Sequence, residues 1–280
     1  MKTYSKSGIR DFISLLEDNI LKTKGNARKN YDIYLKFNDE IYTHLGNRLE
    51  NKLILDIGCG QRFPFTYLLS KNNKVIGIDL DVILLNHSFK NYYTIIKKNG
   101  FNRFIKTFIR SILFDRKYYR TLSKLNNCIS KQNNFKIIKM DAENLEFRDN
   151  TFNFIISIHS FEHIENVEKV IIELKRVLNK GGGFYLAIDF YSKFFGGHKF
   201  ESNKLWDHLL NKNFSPNVYT NQLRVEEYKR LINKHFENVK FICEENKIAK
   251  KLLTPEIRKK LYKFSELELI MNPMIVIGRK

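Results

Sequence analysis

The stretch Lys52 to Pro64, KLILDIGCGQRFP, constrains this chain more than any other. Lys52 to Ile57 is rich in leucine and isoleucine, the composition of a strand buried on both faces of a parallel sheet. Gly58 and Gly60 allow a tight turn and a close approach of backbone to ligand. Pro64 suits the first turn of a helix, where a missing N–H costs nothing. Strand, glycine turn and helix start together predict a ligand cradle lined by backbone amides. A dinucleotide fingerprint requires a third glycine three residues after Gly60, and that position is Phe63, which disfavours NAD and FAD.

The segments that follow extend this beginning into a sheet. Lys74 to Leu80 reads as a second buried strand, ending in Asp79 about twenty residues beyond the glycine turn, where a carboxylate can accept two hydrogen bonds from a ribose diol or cap the next helix. Phe135 to Met140 reads as a third strand with Asp141-Ala142 at its end, and Thr151 to Ile158 as a fourth. An amphipathic helix through Val167, Ile171, Leu174 and Leu178 leads to a fifth, Lys180 to Ile188. Asn221 to His235 reads as a helix, and Val239 to Cys243 with Met274 to Gly278 as a terminal antiparallel pair, with a basic insertion over Lys247 to Ser265. The order predicts one α/β domain over residues 1–280: a Rossmann-like, seven-stranded, mostly parallel sheet with helices on both faces. Residues 1–50 add an N-terminal helical segment, read as two helices, Ile9 to Leu21 and Tyr31 to Leu49.

Between strands two and three, residues 82–134 exceed a single crossover helix and form a helical insertion. This segment holds eleven Lys or Arg against one acid, Asp115, and so contributes +10 of the chain's net +19. Phe101, Phe104, Ile105, Phe108, Ile109, Ile112 and Leu113 fall on one helical face, with Arg103, Lys106 and Arg110 elsewhere. Such a helix can lie on an anionic membrane, grip phosphates, or pack its apolar face on the domain as a lid. No apolar run approaches the roughly twenty residues needed to cross a bilayer, and the N-terminus lacks a signal peptide's apolar stretch. The expected location is cytoplasmic, with peripheral contact at the inner membrane face open. Cys59, Cys128 and Cys243 are too few and scattered for a disulfide framework or zinc cluster.

Asp56, Gly58 and Gly60, spaced D-x-G-x-G, resemble motif I of the class I S-adenosylmethionine (SAM) dependent methyltransferases, with Arg62 standing where that motif usually ends in glycine. The LxxGG turn from Leu178 to Gly182 and the strands around it resemble the type 11 branch, with Asn153 where an aspartate is expected. The resemblance runs from about Leu53 to Asp189 and implies SAM as cofactor, held by Asp56, Gly58, Cys59, Gly60, Asp79, Leu80, Asp141, Ala142 and Ser157. In that family the acid at Asp141 takes the adenine amine, and the next backbone N–H, here that of Ala142, meets a ring nitrogen. His159 and His163 just beyond strand four are the candidate catalytic residues, His159 being preferred as base.

Acceptor-side candidates are Tyr31 and Tyr34 on the N-terminal segment, for which packing on the sheet is the alternative, and His198 and Trp206 in the loop over residues 190–220. His159-x-x-Glu162-His163 also resembles the acid-x-x-Glu-His metal cluster of certain methyltransferases. Histidine replaces the leading acid and magnesium prefers oxygen ligands, so no metal is assigned. The expected activity is methyl transfer, as O-methylation, to a small-molecule, glycan or lipid-linked acceptor. The rival readings are an RNA methyltransferase using the basic insertion and a non-catalytic SAM-binding protein. Nucleic acid is disfavoured because no RNA-binding module or N/D-P-P-Y tetrapeptide is present. Oligomeric state is open.

Overall fold

The structure, a computed structural model, describes residues 9–85, 87–127, 134–191, 205–211 and 219–280. Its elements in order are α1 (Ile9–Leu45), β1 (Leu53–Ile57), α2 (Pro64–Leu69), β2 (Lys74–Asp79), α3 (Phe89–Asn99), α4 (Phe101–Arg110), a π-turn (Ser111–Asp115) and α5 (Arg116–Leu125). Then come β3 (Phe135–Lys139), β4 (Phe152–Ile158), a 3-10 turn (Phe161–His163), α6 (Val167–Val177), β5 (Leu178–Ile188), α7 (Asp207–Leu210) and α8 (Val225–Asn233). The chain closes with β6 (Lys240–Glu245), α9 (Lys247–Leu252), α10 (Pro255–Lys260), α11 (Glu266–Ile270) and β7 (Met271–Arg279).

The seven strands form one sheet in the order β3-β2-β1-β4-β5-β7-β6. β1 to β5 are parallel, and β7 runs antiparallel to both β5 and β6. This is the expected mostly parallel sheet. Chain order reverses where β1 pairs with β4, with Leu55 beside Ile155, so the ends of β1 and β4 diverge into the crevice that open α/β sheets use for ligands. Alternate residues serve the two faces. Leu55, Ile155, Phe184 and Leu186 pack on one side with Val170, Ile171 and Leu174 of α6 and Tyr228 and Ile232 of α8. Ile54, Phe154, Ile156, Tyr185 and Ala187 pack on the other with Phe37 and Ile41 of α1 and Phe65 of α2.

The N-terminal segment is one continuous helix rather than two, running through the polar stretch Lys22 to Asn30. That stretch lacks an apolar stripe, yet Thr23 and Ala27, four residues apart, are both buried. Ala27 shares a core with Tyr118 and Leu122 of α5, so helix packing through a small residue replaced the apolar signal. The expected helix over Asn221 to His235 begins later, at Val225. Asn221 instead turns outward from it, its amide donating to the carbonyls of Phe161 and Ile164 at 2.8 and 3.0 Å.

The long apolar face expected from Phe101 to Leu113 is also broken. A π-turn inserts after Arg110 and shifts the helical phase, leaving Ile112 and Leu113 exposed while Phe104 and Phe108 meet Tyr92 of α3. Arg103 and Arg110 are committed within the fold, Arg103 to Asp81 and Arg110 to Asp115 and the Gln61 carbonyl. Because Ala27 fills its space against Tyr118, Ala27→Leu is expected to destabilise the protein by about 1–3 kcal/mol through overpacking. A urea midpoint lower than the parent's, with unchanged m, is the measurement.

Candidate functional site

Gly58 and Gly60 lie at φ +70° and +73°, a backbone region that side-chain-bearing residues avoid. At Gly58 the constraint is also steric, since a Cβ there would stand 2.4 Å from Ser160 Oγ. The loop after β4 thus presses directly on the loop after β1. At Gly60 a Cβ would meet nothing within 4 Å, so the backbone borders open space.

The amides of Gly58 and Cys59 donate to the Ile78 carbonyl at 2.9 and 3.0 Å, so part of the expected amide cradle is spent on holding the loop to β2. Asp79 completes that hold. Its two carboxylate oxygens accept from the Gly60 amide at 3.0 Å and the Asp81 amide at 2.9 Å. A carboxylate has about four acceptor positions, so a ribose diol can still be received there. Burial raises the Asp79 pKa above the usual carboxylate value. Next to these groups, the side-chain amide nitrogen and oxygen of Gln61 are buried with no hydrogen-bond partner among the described residues. A buried, unsatisfied amide in a glycine loop is what a polar ligand would complete.

Asp56 performs a different task. It is fully buried, and Thr66 Oγ1 of α2 donates to its Oδ2 at 2.6 Å. It fixes helix to strand from beneath the loop. Burial, against the Thr66 hydrogen bonds, pushes its pKa up to about 7. Cys59 packs in a small apolar core with Phe63 and Ile83, and burial raises its thiol pKa. The Ser157 side chain is likewise internal, its hydroxyl donating to the Ile57 carbonyl at 3.0 Å across the β1–β4 seam. Leu80 is exposed, Ala142 is half-buried, and Asp141 is exposed with Oδ1 accepting from the Glu143 amide at 2.9 Å.

Arg62, the departure from the motif, anchors the insertion. Its Nε donates to Asp115 Oδ1 at 2.7 Å, its carbonyl accepts from Tyr119 Oη at 2.7 Å, and its guanidinium lies 4.8 Å from the Tyr118 ring centre. Asp115 also receives Arg110 Nε at 3.2 Å. The one acid of residues 82–134 therefore ties the basic insertion to the glycine loop.

Beyond β4, His159 adopts φ +56° while its amide donates to the Ala187 carbonyl at 2.8 Å. A non-glycine residue held there is strained and needs its surroundings to keep it. Its Nδ1 lies 2.7 Å from Oδ1 of Asp189, a buried carboxylate one residue past β5; the contact has ion-pair length but is off the axis of the ring N–H. The ligand-capable atoms of His159, Glu162 and Asp189 all lie within 4.8 Å of one another, close enough to hold a divalent cation. This trio differs from the His159, Glu162 and His163 arrangement that the sequence resembles, with Asp189 in place of His163. His163 turns away, its Nδ1 2.8 Å from the Tyr219 carbonyl, the distance of a donated hydrogen bond.

Of the acceptor-side candidates, Tyr31 and Tyr34 stack on each other and on the core between α1, α2 and α5, the packing alternative. Trp206 is buried, its indole N–H donating to the Leu269 carbonyl at 2.9 Å, so it serves the core rather than an open acceptor surface. His198 lies outside the described residues. Sequence reasoning missed Ser160, Asp115, Gln61 and Asp189. Asp189 had a signal, an acid closing a buried strand as Asp79 does, and Asp115 stood out as the one acid of the basic insertion, though not its partner; Ser160 and Gln61 had none.

Residues 116–186 match the family model described as a methyltransferase domain, type 11. Over 88% of its length the chain superposes on phosphoethanolamine N-methyltransferase 2 of Haemonchus contortus, solved with SAM, at TM-score 0.51 and 17% identity, covering 52% of that chain. The chain has the class I methyltransferase fold. It is also 41% identical over 49 residues to the sterol 4-C-methyltransferase strm-1 of Caenorhabditis elegans and 34% identical over 97 residues to an uncharacterized protein of Methanocaldococcus jannaschii. These matches cover 18% and 35% of this chain, and span 15% and 44% of the two relatives.

Within this methyltransferase fold Asp56 predicts a pH signature. Its folded pKa of about 7 is raised above the ordinary value near 4, so the folded state holds the extra proton between these pH values and stability falls as pH rises through that window. Asp56→Asn retains an acceptor for Thr66 and removes the titration. The melting-temperature difference between variant and parent should grow in the variant's favour from about pH 4 to pH 7 and stay flat above.

Proposed function

We propose that this chain is a SAM-dependent methyltransferase that methylates a hydroxyl of a small-molecule, glycan or lipid-linked acceptor. The observation that carries the reading is the meeting, at the β1–β4 switch point, of an open glycine loop with its Asp79 acceptor and of a strained histidine backed by a buried carboxylate. Bound SAM supplies an electrophilic methyl group on a sulfonium. The Asp79 oxygens would receive the ribose hydroxyls, Gln61 would complete its amide hydrogen bonds on the polar part of the ligand, and Asp141 and Ala142 would receive the adenine edge. Gly60 leaves the space that a side chain would fill.

For a hydroxyl acceptor the chain's own task is to orient the oxygen and take its proton. His159 Nε2 accepts that proton, and Asp189, 2.7 Å from Nδ1, orients the ring and stabilises the imidazolium that results. The acceptor oxygen would gain the methyl, with the electron pair of the broken carbon–sulfur bond left on sulfur, so the products would be the methyl ether and S-adenosylhomocysteine. Glu162 adds a second buried carboxylate beside this pair. Trapping of the three groups by a divalent ion would engage the same histidine, so transfer through a histidine base is expected to survive EDTA.

Two measurements test the reading. SAM and S-adenosylhomocysteine should bind by calorimetry, with Asp79→Ala weakening binding by about 1–3 kcal/mol as its hydrogen bonds are lost. Labelled methyl from SAM should enter one fraction of cellular metabolites, lipids, polysaccharide or RNA. His159→Ala should lower turnover at least tenfold with SAM affinity nearly intact. Absence of SAM binding at millimolar ligand rejects the proposal outright, and equal loss of binding and turnover in His159→Ala assigns that histidine a structural role.

A further inference from the structure

The helix α3 carries apolar residues on two neighbouring faces. One stripe, Tyr92, Ile95 and Asn99, faces the protein: Ile95 is fully buried, and Tyr92 meets the rings of Phe104 and Phe108 at 5.6 and 5.4 Å. Asn99 holds the helix end to the exit of β2, accepting from the Val82 amide at 3.1 Å and donating to its carbonyl at 2.7 Å. The next stripe, Phe89, Tyr93 and Ile96, follows i, i+4, i+7 spacing and faces solvent, with Phe89 93% and Tyr93 67% exposed. A solvated helix face does not ordinarily present two aromatics and an isoleucine in register. Leu85 just before the helix and Phe101 just after it are exposed as well.

The far edge of this stripe is cationic. Lys90 and Lys97 border it, and the Lys97 ammonium lies 6.0 Å from the Tyr93 ring centre. No acid occurs in sequence between Asp81 and Asp115. Both of those acids are already neutralised, Asp81 by Arg103 and Asp115 by Arg62 and Arg110. Among the described residues no carboxylate pairs with Lys90, Lys97 or Lys98. An exposed aromatic stripe flanked by uncompensated lysines matches the boundary between headgroups and acyl chains of an anionic bilayer. A second copy of this chain would bring the same lysines against themselves on a molecule of net charge +19.

We infer that α3 docks the protein on anionic lipid bilayers, with Phe89 and Tyr93 inserted at the headgroup boundary and Lys90 and Lys97, which border that stripe, drawn to the lipid phosphates. Asn99 and Val82 fix α3 to the exit of the strand that ends in Asp79, so the docked helix adjoins the strand-end crevice. Binding to lipid needs no methyl transfer, so its test is independent of the proposed reaction.

The experiment is co-sedimentation of the full chain with phosphatidylcholine vesicles, with or without about one third phosphatidylglycerol, at low and high salt. Partitioning should be at least tenfold stronger on the anionic vesicles and weaken with salt. Phe89→Ser with Tyr93→Ser should reduce it at least tenfold. Lys90→Gln with Lys97→Gln should reduce it on the order of twenty-five-fold, at roughly fivefold per lysine near such a surface. The same neutralisation of Lys247 and Lys259 on α9 and α10 is the control for net charge and should leave most binding in place. Emission from the single, buried Trp206 verifies the fold of each variant. Equal binding to both vesicle types, indifference to the Phe89 and Tyr93 changes, or an equal loss in the control variant overturns the inference. So does a dimer in solution that the Phe89 and Tyr93 changes dissolve.

Discussion

The parallel seam between β1 and β4 is the constraint on which the rest of the structure depends. Strand order reverses there, so the loops leaving the two strands must diverge, yet Gly58 and Ser160 hold them in contact at their base. The Ser157 and Ser160 hydroxyls both reach the Ile57 carbonyl, at 3.0 and 3.1 Å, closing the bottom of the crevice with one buried and one partly buried hydrogen bond. Everything with candidate chemistry stands above that floor: Gly60 and Asp79 on one side, His159 and Asp189 on the other.

The insertion between β2 and β3 is coupled to this seam through charge. A segment of ten excess positive charges would repel itself if its cations were left together. Asp115 relieves part of this by bridging Arg62 and Arg110, and in doing so joins the insertion to the glycine loop. Arg103 and Asp81 make a second tie at the exit of β2. The cations left without an acidic partner include Lys90, Lys97 and Lys98 of α3, whose long stems and strongly hydrated heads suit a surface better than a bidentate buried pair. Within the insertion, Arg103 and Arg110 thus build the fold while the α3 lysines face outward.

Much of the candidate site was legible because its signals are local. A strand, two glycines and a proline within Lys52 to Pro64 specify a turn at any sheet position, and an acid closing the next strand falls beside it by topology alone. Side-chain roles were less legible. Asp56 and Asp79 are both strand acids, but Asp56 is buried under Thr66 whereas Asp79 holds the Gly60 amide. Trp206, Cys59 and Ser157 lie near the right strands in sequence, and packing turned each of them inward. Tyr31 and Tyr34 went to the same use, because a continuous α1 lies along α5 instead of bending over the crevice.

The sequence by itself determined the class of fold: buried strand runs at parallel-sheet composition, glycine and proline punctuation, and the order of helices between them admit few other arrangements. It also determined where the charge concentrates and where the glycine loop begins. Tertiary structure alone decided that Asp189 meets His159, that Arg62 meets Asp115, and that Phe89 and Tyr93 face outward while Tyr92 faces in. The physical reason is separation along the chain. His159 and Asp189 are thirty residues apart, Arg62 and Asp115 fifty-three, and no periodicity within one segment encodes a contact made by bringing two segments together.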